Sequence, residues 1–227
     1  MLDRYSTRLI RPAVQALARP LLHGGVSANS ITWIGFALGL LAAACVAAQA
    51  WMAGLVLLLL SRLCDALDGA VARMGTGSSA VGGFLDIALD FVLYALMVLA
   101  FALTDPAANA LAAAVLITAF VGTGSSFLAF ATLAAQRGLH NPQMPDKSFY
   151  FVGGLTEATE TLAVLCAMCI WPAYFAPLAY GFAGLCFVTW LGRIATGVRL
   201  LGDGEPGRLT APNHQPPSAG MGQDDGV

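Results

Sequence analysis

The chain has 227 residues, 58% of them hydrophobic and only 11% charged, with a mean hydropathy of +0.74 and a formal net charge of −2. A soluble domain carries about 25% charged residues, so the composition excludes a water-soluble globule and points to an integral membrane protein, with no nucleic-acid partner suggested. The five cysteines, an odd number scattered through apolar segments, suggest neither a disulfide framework nor a structural zinc site; Cys166 and Cys169, a CxxC on an apolar helix, read as packing.

The fold class expected is all-α, an integral membrane bundle of six transmembrane helices preceded by an N-terminal interfacial amphipathic helix. Residues 1–25 form that helix in this reading, with Leu2, Tyr5, Leu9, Ala13 and Ala16 on one face and Arg4, Arg8, Arg11, Gln15 and Arg19 on the other. Pro12 is expected to kink it or to start its second half. No continuous apolar core precedes a cleavage site, so a secretory signal is not expected. Ser27-Ala28-Asn29-Ser30-Ile31-Thr32 then reads as a helix start, with Asn29 or Ser30 as the N-cap.

At about 20 apolar residues per span, residues 26–201 hold six: 30–49, 51–74, 83–103, 108–134, 152–171 and 174–199. The short connections near 50, 105 and 172 contain no Lys or Arg. The flanking bases, the N-terminal arginines with Arg73, Arg137, Lys147, Arg199 and Arg208, fall on the opposite side. The positive-inside rule therefore places both termini on the cytoplasmic side of the cell's inner membrane. Gly35 and Gly39 form a small-xxx-small pair for close helix approach, and Gly122-Thr123-Gly124-Ser125-Ser126 reads as a polar patch that either lines a cavity or relieves packing, the second being favoured. Residues 202–227, rich in Gly, Pro, Asp and Gln, are expected to be a disordered cytoplasmic tail.

Within this apolar frame Asp65 and Asp68 share one face of the second span, and Asp86 and Asp90 share one face of the third. Ionised carboxylates are costly in a bilayer and usually mark a cavity, a relay or a site. By helix rise Asp68 and Asp65 lie roughly 9 and 13 Å from the cytoplasmic end of their span, and Asp86 and Asp90 roughly 5 to 11 Å into theirs. The antiparallel pair thus brings all four to one depth, where they repel unless protonated or neutralised by metal. Hard cations such as Mg²⁺ take oxygen ligands of this kind together with substrate phosphates. The acids gather near one face, which speaks against the rival reading of a cation transporter.

The pattern D-x2-D-G-x2-A-R-x8-G-x3-D-x3-D, filled by Asp65, Asp68, Gly69, Ala72, Arg73, Gly82, Asp86 and Asp90, resembles the signature of the class I CDP-alcohol phosphotransferase (CDP-alcohol phosphatidyltransferase) family. The resemblance implies that Asp65, Asp68 and Asp86, with Asp90 near a second ion, hold two Mg²⁺ or Mn²⁺ ions. It makes Asp90 the general base and implies a homodimer. Ser27 to Thr32 is also similar to the family's T-P-N-x-L-T entry, with Ser27-Ala28 in place of Thr-Pro, which brings in Asn29 and Thr32 as substrate-binding residues. Gly69, where a missing side chain lets the nucleotide approach, Arg73 as a phosphate fork, Ser79 in the Gly75–Gly83 loop with Thr76 and Ser78, and Gly82 complete that set. The implied reaction is attack of an alcohol hydroxyl on a CDP-linked donor, foremost CDP-diacylglycerol, with release of CMP. Transfer from CDP-choline or CDP-ethanolamine to diacylglycerol stays open. Outside the signature, Glu157, Glu160 and Arg193 lie at the depth of the aspartates, either to bind the acceptor or with Arg193 neutralising one of the glutamates.

Overall fold

The structure, a computed structural model, describes residues 3–75, 77, 79–136 and 156–202. All regular elements among them are helices: α1 (Asp3–His23), α2 (Ala28–Ala47), α3 (Trp51–Met74), α4 (Ala80–Thr104), α5 (Pro106–Gln136), α6 (Ala158–Ile170) and α7 (Phe175–Gly202), the last preceded by a single 3₁₀ turn, Pro172–Tyr174. The expected cytoplasmic tail, Arg137, Lys147, Arg208, Thr76 and Ser78 lie outside the described residues.

Among the described residues, four segments are long and apolar enough to cross a membrane: α2, α4, α5 and Pro172–Arg199. The 24-residue α3 matches them in length but carries Arg62, Asp65, Asp68 and Arg73. The described part of the expected fifth span is shorter than 152–171: α6 has 13 residues, because Glu157 and Glu160 form a capping box that starts the helix at Ala158. The remaining connections are as short as the sequence suggests. The α2–α3 corner closes with Gln49 at φ 61°, Ala50 N–H donating to Cys45 O and Gln49 N–H to Val46 O. This is a Schellman ending in which glutamine occupies the left-handed position usually given to glycine. Gly25 at φ 72° closes α1 in the same way.

Two local expectations are corrected. The N-cap of α2 is Ser27, whose Oγ accepts from Ser30 N–H at 3.1 Å, not Asn29 or Ser30; a cap bond reaches to the third helical residue, and Ser30 is the donor in it. The buried stripe of α1 is Val14 and Ala18, flanked by Leu21 and Leu22, whereas Ala13 and Ala16 are exposed. The reason is that α1 lies on α3, where Leu67, Ala70 and Val71 cover that stripe. α1 also runs as one helix through Pro12 and Pro20.

Small residues set the spacing of the bundle, as expected where helices associate by close contact. A Cβ on Gly35 falls 2.8 Å from Cys64 Cβ and 3.3 Å from Ser61 O, and one on Gly39 falls 2.6 Å from Leu93. Both α3 and α4 therefore press against α2. Farther along, Phe101 stacks between Trp51 and Phe175, with centroids 5.7 and 4.9 Å away. Leu58, Leu93, Met97, Leu116 and Met168 fill the same core, and Cys169 packs there fully buried as a free thiol.

Replacing Gly35 with Ala is expected to lower stability by about 1–3 kcal/mol, the usual cost of overpacking, because Cys64 Cβ and a backbone carbonyl block the methyl. Gly184→Ala, with nothing within 4 Å of the new Cβ, should leave the melting temperature of detergent-solubilised protein unchanged or slightly higher. Equal melting temperatures for wild type and Gly35→Ala count against this close approach.

Candidate active site

The site lies where α3 ends and α4 begins. The chain reverses after Met74, and Ser79 caps α4 by accepting from Gly82 N–H at 2.9 Å. This turn sets Asp65 and Asp68, two to three turns before the end of α3, against Asp86 and Asp90 in the opening turns of α4. One carboxylate oxygen each from Asp65, Asp68 and Asp86 fall within 4.8 Å of one another. Asp68 is buried and Asp86 exposed, so the cluster opens on one side. Thr32 of α2 donates to Asp68 Oδ2 at 2.6 Å, fixing that carboxylate from below. A cleft of about 10 Å³, room for a single small ion or water, is bordered by all four aspartates, Thr32 and Ser61.

Asp90 is drawn the other way. Its Oδ1 accepts from Arg62 Nη1 at 2.5 Å, while the same guanidinium lies 3.9 Å from Asp65 and 5.5 Å from the Tyr94 ring centre. Arg62 was passed over in reading the sequence, where the signal was a lone base in an apolar run three residues ahead of Asp65. The pairing changes the charge argument, since one of the four carboxylates is matched by the protein itself. Arg62 Nε is buried without a partner, so the arginine is held by its other nitrogens alone.

The other expected residues fall nearby with different surroundings. Asn29 Oδ1 stands 3.4 Å from where a Cβ on Gly82 falls, so α2 and α4 meet at the mouth of the cluster. The space over Gly69 is filled by Arg73, whose Nη1 is 3.0 Å from the ideal Cβ. Gly69 thus makes room for the chain's own phosphate fork; the open approach expected for a nucleotide is taken by that side chain here. Ser79 Oγ accepts the α4 cap bond and keeps its O–H to donate.

A second cavity of about 260 Å³ adjoins the cluster. Asp86 and Asp90 form one wall, and Thr156, Glu157, Thr161 and Arg193 the other. Arg193 is only 8% exposed; its Nη1 donates to Thr123 O at 3.2 Å and its guanidinium faces the Phe127 ring at 5.8 Å. Glu160 accepts from Glu157 N–H at 3.1 Å, so its described role is to cap α6, while Glu157 both caps and faces the cavity. The Glu-x-x-Glu spacing at a helix start carried that signal. The Gly122–Ser126 patch does both things open to it: Gly122 packs against Trp190 and Gly124 against Phe91, its hydroxyls donate to carbonyls of their own helix, and Thr123 lines this cavity. On the far side of Ile87 and Phe91 runs an apolar groove of about 960 Å³ between α4 and α5, lined by Phe84, Val121 and Leu128 among others.

Three hard oxygen donors converging from two helices fit a divalent cation, and a polar cavity beside them fits a second reactant. A helical bundle with such a site suits chemistry on phosphate groups, whose charge a divalent cation offsets. Residues 26–196 match the family model of CDP-alcohol phosphatidyltransferase. The inner membrane protein YnjF of Escherichia coli (strain K12) is 47% identical over 197 residues, covering 87% of this chain and 95% of that protein. Archaetidylinositol phosphate synthase of Pyrococcus horikoshii is 33% identical over 90 residues, 40% of this chain and 47% of that one. Among solved structures, Mycobacterium tuberculosis phosphatidylinositol phosphate synthase (PgsA1) with CDP-DAG bound shares the fold at a TM-score of 0.66, with 18% identity over 82% of this chain and 93% of that one. The same enzyme in complex with manganese and citrate gives 0.65, with 21% identity over 81% and 88%. The chain belongs to the CDP-alcohol phosphatidyltransferase family and is a transferase for substituted phosphate groups.

The Arg62–Asp90 pair generates a stability test. Arg62→Met leaves Asp90 without its cation and is expected to cost about 2–3 kcal/mol, less than the ~3–5 of a fully buried pair, because the Asp90 side chain is 27% exposed. Adding Asp90→Asn should recover most of the loss in a double-mutant cycle followed by thermal unfolding. Additive losses in the double variant count against direct pairing.

Proposed function

We propose that the chain transfers a phosphatidyl group from CDP-diacylglycerol to the hydroxyl of a small polar alcohol, releasing CMP. The observation that carries this reading is the convergence of Asp65, Asp68 and Asp86 to within 4.8 Å, with Asp90 one turn on at the wall of a polar cavity. Asp65, Asp68 and Asp86 would hold Mg²⁺ or Mn²⁺, with Asp90 beside a second ion. When bound, such ions neutralise the donor diphosphate and the charge that grows on the leaving CMP.

The chain's own residues account for the rest. Arg73, one turn beyond Gly69, presents a planar fork to the donor phosphates, and Asn29, Thr32, Ser79 and Gly82 line the approach at the meeting of α2 and α4. As the acceptor oxygen attacks the phosphorus, a new P–O bond forms, the P–O bond to CMP breaks, and the hydroxyl proton passes to Asp90. Arg62 grips Asp90 through Oδ1, so Oδ2 is the oxygen assigned to that proton. The apolar groove between α4 and α5 suits the acyl chains of a lipid-linked donor, and the charged cavity suits a polar acceptor. That pairing favours this reading over transfer of a CDP-linked headgroup to diacylglycerol, which puts the lipid on the acceptor side. Six spans, a cytoplasmic site with both termini on that side, and a homodimer complete the proposal.

The test is CMP release from CDP-diacylglycerol by purified protein across a panel of acceptor alcohols. Chelation should abolish release and added Mg²⁺ or Mn²⁺ restore it. Asp90→Asn should lower kcat by about 10² to 10⁴, roughly 3–5 kcal/mol, with donor binding nearly unchanged, whereas Asp68→Asn should weaken metal and donor binding together. Full turnover in excess EDTA sinks the metal assignment, and a near wild-type Asp90→Asn sinks the base.

For the topology, a cysteine placed at Asp105, the single residue between α4 and α5, should react with a membrane-impermeant label added outside intact cells. Labelling only after the membrane is opened would reverse the assignment.

A further inference from the structure

Arg62 lies outside the eight-residue signature yet stands inside the metal cleft, and its role there deepens the metal and donor reading proposed above, on which this inference rests. Its side chain is only 12% exposed and borders the same cleft as the four aspartates. One nitrogen, Nη1, donates to Asp90 Oδ1 at 2.5 Å and lies 3.9 Å from Asp65 Oδ1, so a positive charge stands between a carboxylate of α4 and one of α3. Nη2 donates to the buried Ser61 hydroxyl at 3.3 Å, and the guanidinium lies over the Tyr94 ring at 5.5 Å. A guanidinium does not deprotonate in a protein, so this charge cannot be shed to admit a metal ion.

The four aspartates are therefore of two kinds. Asp68 is steadied by the neutral hydroxyl of Thr32, which leaves its charge for a cation. With Asp65 and Asp86 it brings three oxygens within 4.8 Å of one another, and the guanidinium stands beyond hydrogen-bond distance of Asp65. Asp90 is instead steadied by a cation in direct contact. A divalent ion beside Asp90 meets a carboxylate whose charge is already matched, and it is repelled both by Arg62 and by an ion at the other three aspartates. Mg²⁺ is commonly held by one or two carboxylates together with substrate phosphates. The donor diphosphate is thus the source of the negative charge that a second ion needs.

We propose that Arg62 makes the two ions unequal: the chain alone holds one divalent cation, at Asp65, Asp68 and Asp86, and a second is held beside Asp90 only in company with the donor diphosphate. Arg62 acts here as a positioning residue. It keeps Asp90 ready for the acceptor proton and keeps the neighbouring ion position vacant until the donor arrives. The order of assembly follows, with one ion first and then the donor together with the other.

The experiment counts Mn²⁺ bound to the full chain in nanodiscs of zwitterionic lipid by electron paramagnetic resonance, with and without one CDP-diacylglycerol per chain. Empty nanodiscs carrying the same donor are subtracted, and no acceptor alcohol is present. Wild type should bind one Mn²⁺ without donor and two with it, the second appearing as a spin-coupled pair. Arg62→Met should bind the second Mn²⁺ without donor, at least ten-fold more tightly than wild type, and lost packing does not produce such a gain. Adding Asp90→Asn should remove that ion again. Two ions of similar affinity in donor-free wild type overturn the inference, as does an unchanged count in folded Arg62→Met or in the donor complex. If Arg62→Met fails to fold, the two wild-type counts decide alone. Donor binding is followed separately by thermal shift. Absence of any bound Mn²⁺ overturns the metal reading itself, and absence of donor binding overturns the donor reading together with the donor-linked half of this inference.

Discussion

Negative charge held in apolar helices is the constraint on which the rest of the structure depends. Four carboxylates from α3 and α4 meet at one level, and three of them present oxygens within 4.8 Å of one another. Carboxylates crowded at one level repel one another, so each is eased by a partner of opposite charge or a hydrogen-bond donor. Arg62 answers for Asp90, Thr32 supplies a hydrogen bond to Asp68, and the remaining charge defines a place for a hard cation.

The bundle is built so that these charges can meet. Gly35 and Gly39 let α3 and α4 approach α2 at distances that a larger residue forbids, which sets Thr32 beside Asp68 and Asn29 beside Gly82. The heavy aromatic packing, Trp51 on Phe101 on Phe175, is placed at the other end of α3 and α4 from the aspartates. Rigidity is thus supplied at a distance, and the ends of α3 and α4 are left with small residues, an exposed Asp86 and an open mouth. The same end of the bundle carries two cavities of different character. An apolar groove runs on one side of Ile87 and Phe91, and a polar cavity with Arg193 and Glu157 lies on the other.

Helix α6 shows how local stability and function share residues. Glu157 accepts from the Glu160 N–H and Glu160 accepts from the Glu157 N–H, which anchors one wall of the cavity. The same two carboxylates put negative charge at a helix start, where the backbone dipole favours it.

Much was legible from the sequence, because the signals involved are short in range. Helices follow from apolar composition and turn residues, face sharing from offsets of three and four, and the carboxylate cluster and family from eight residues at fixed spacing. The packing roles of Gly35, Gly39 and Cys169 followed from the same local logic. The start of α2 at Ser27 and of α6 at Glu157 was local too, but capping acceptors a residue or two apart look alike until the backbone is placed. What only the tertiary structure decided depends on which faces of distant helices meet. Arg62 became the partner of Asp90 across 28 positions, Arg193 bonded Thr123 across 70, and Arg73 folded over Gly69. A long side chain such as arginine reaches several ångströms in directions that spacing alone does not specify, and its partner is chosen by burial and packing. The sequence by itself therefore determined that the chain concentrates acid in its membrane helices, and the folded bundle decided which of those acids is already neutralised and which cavity the others face.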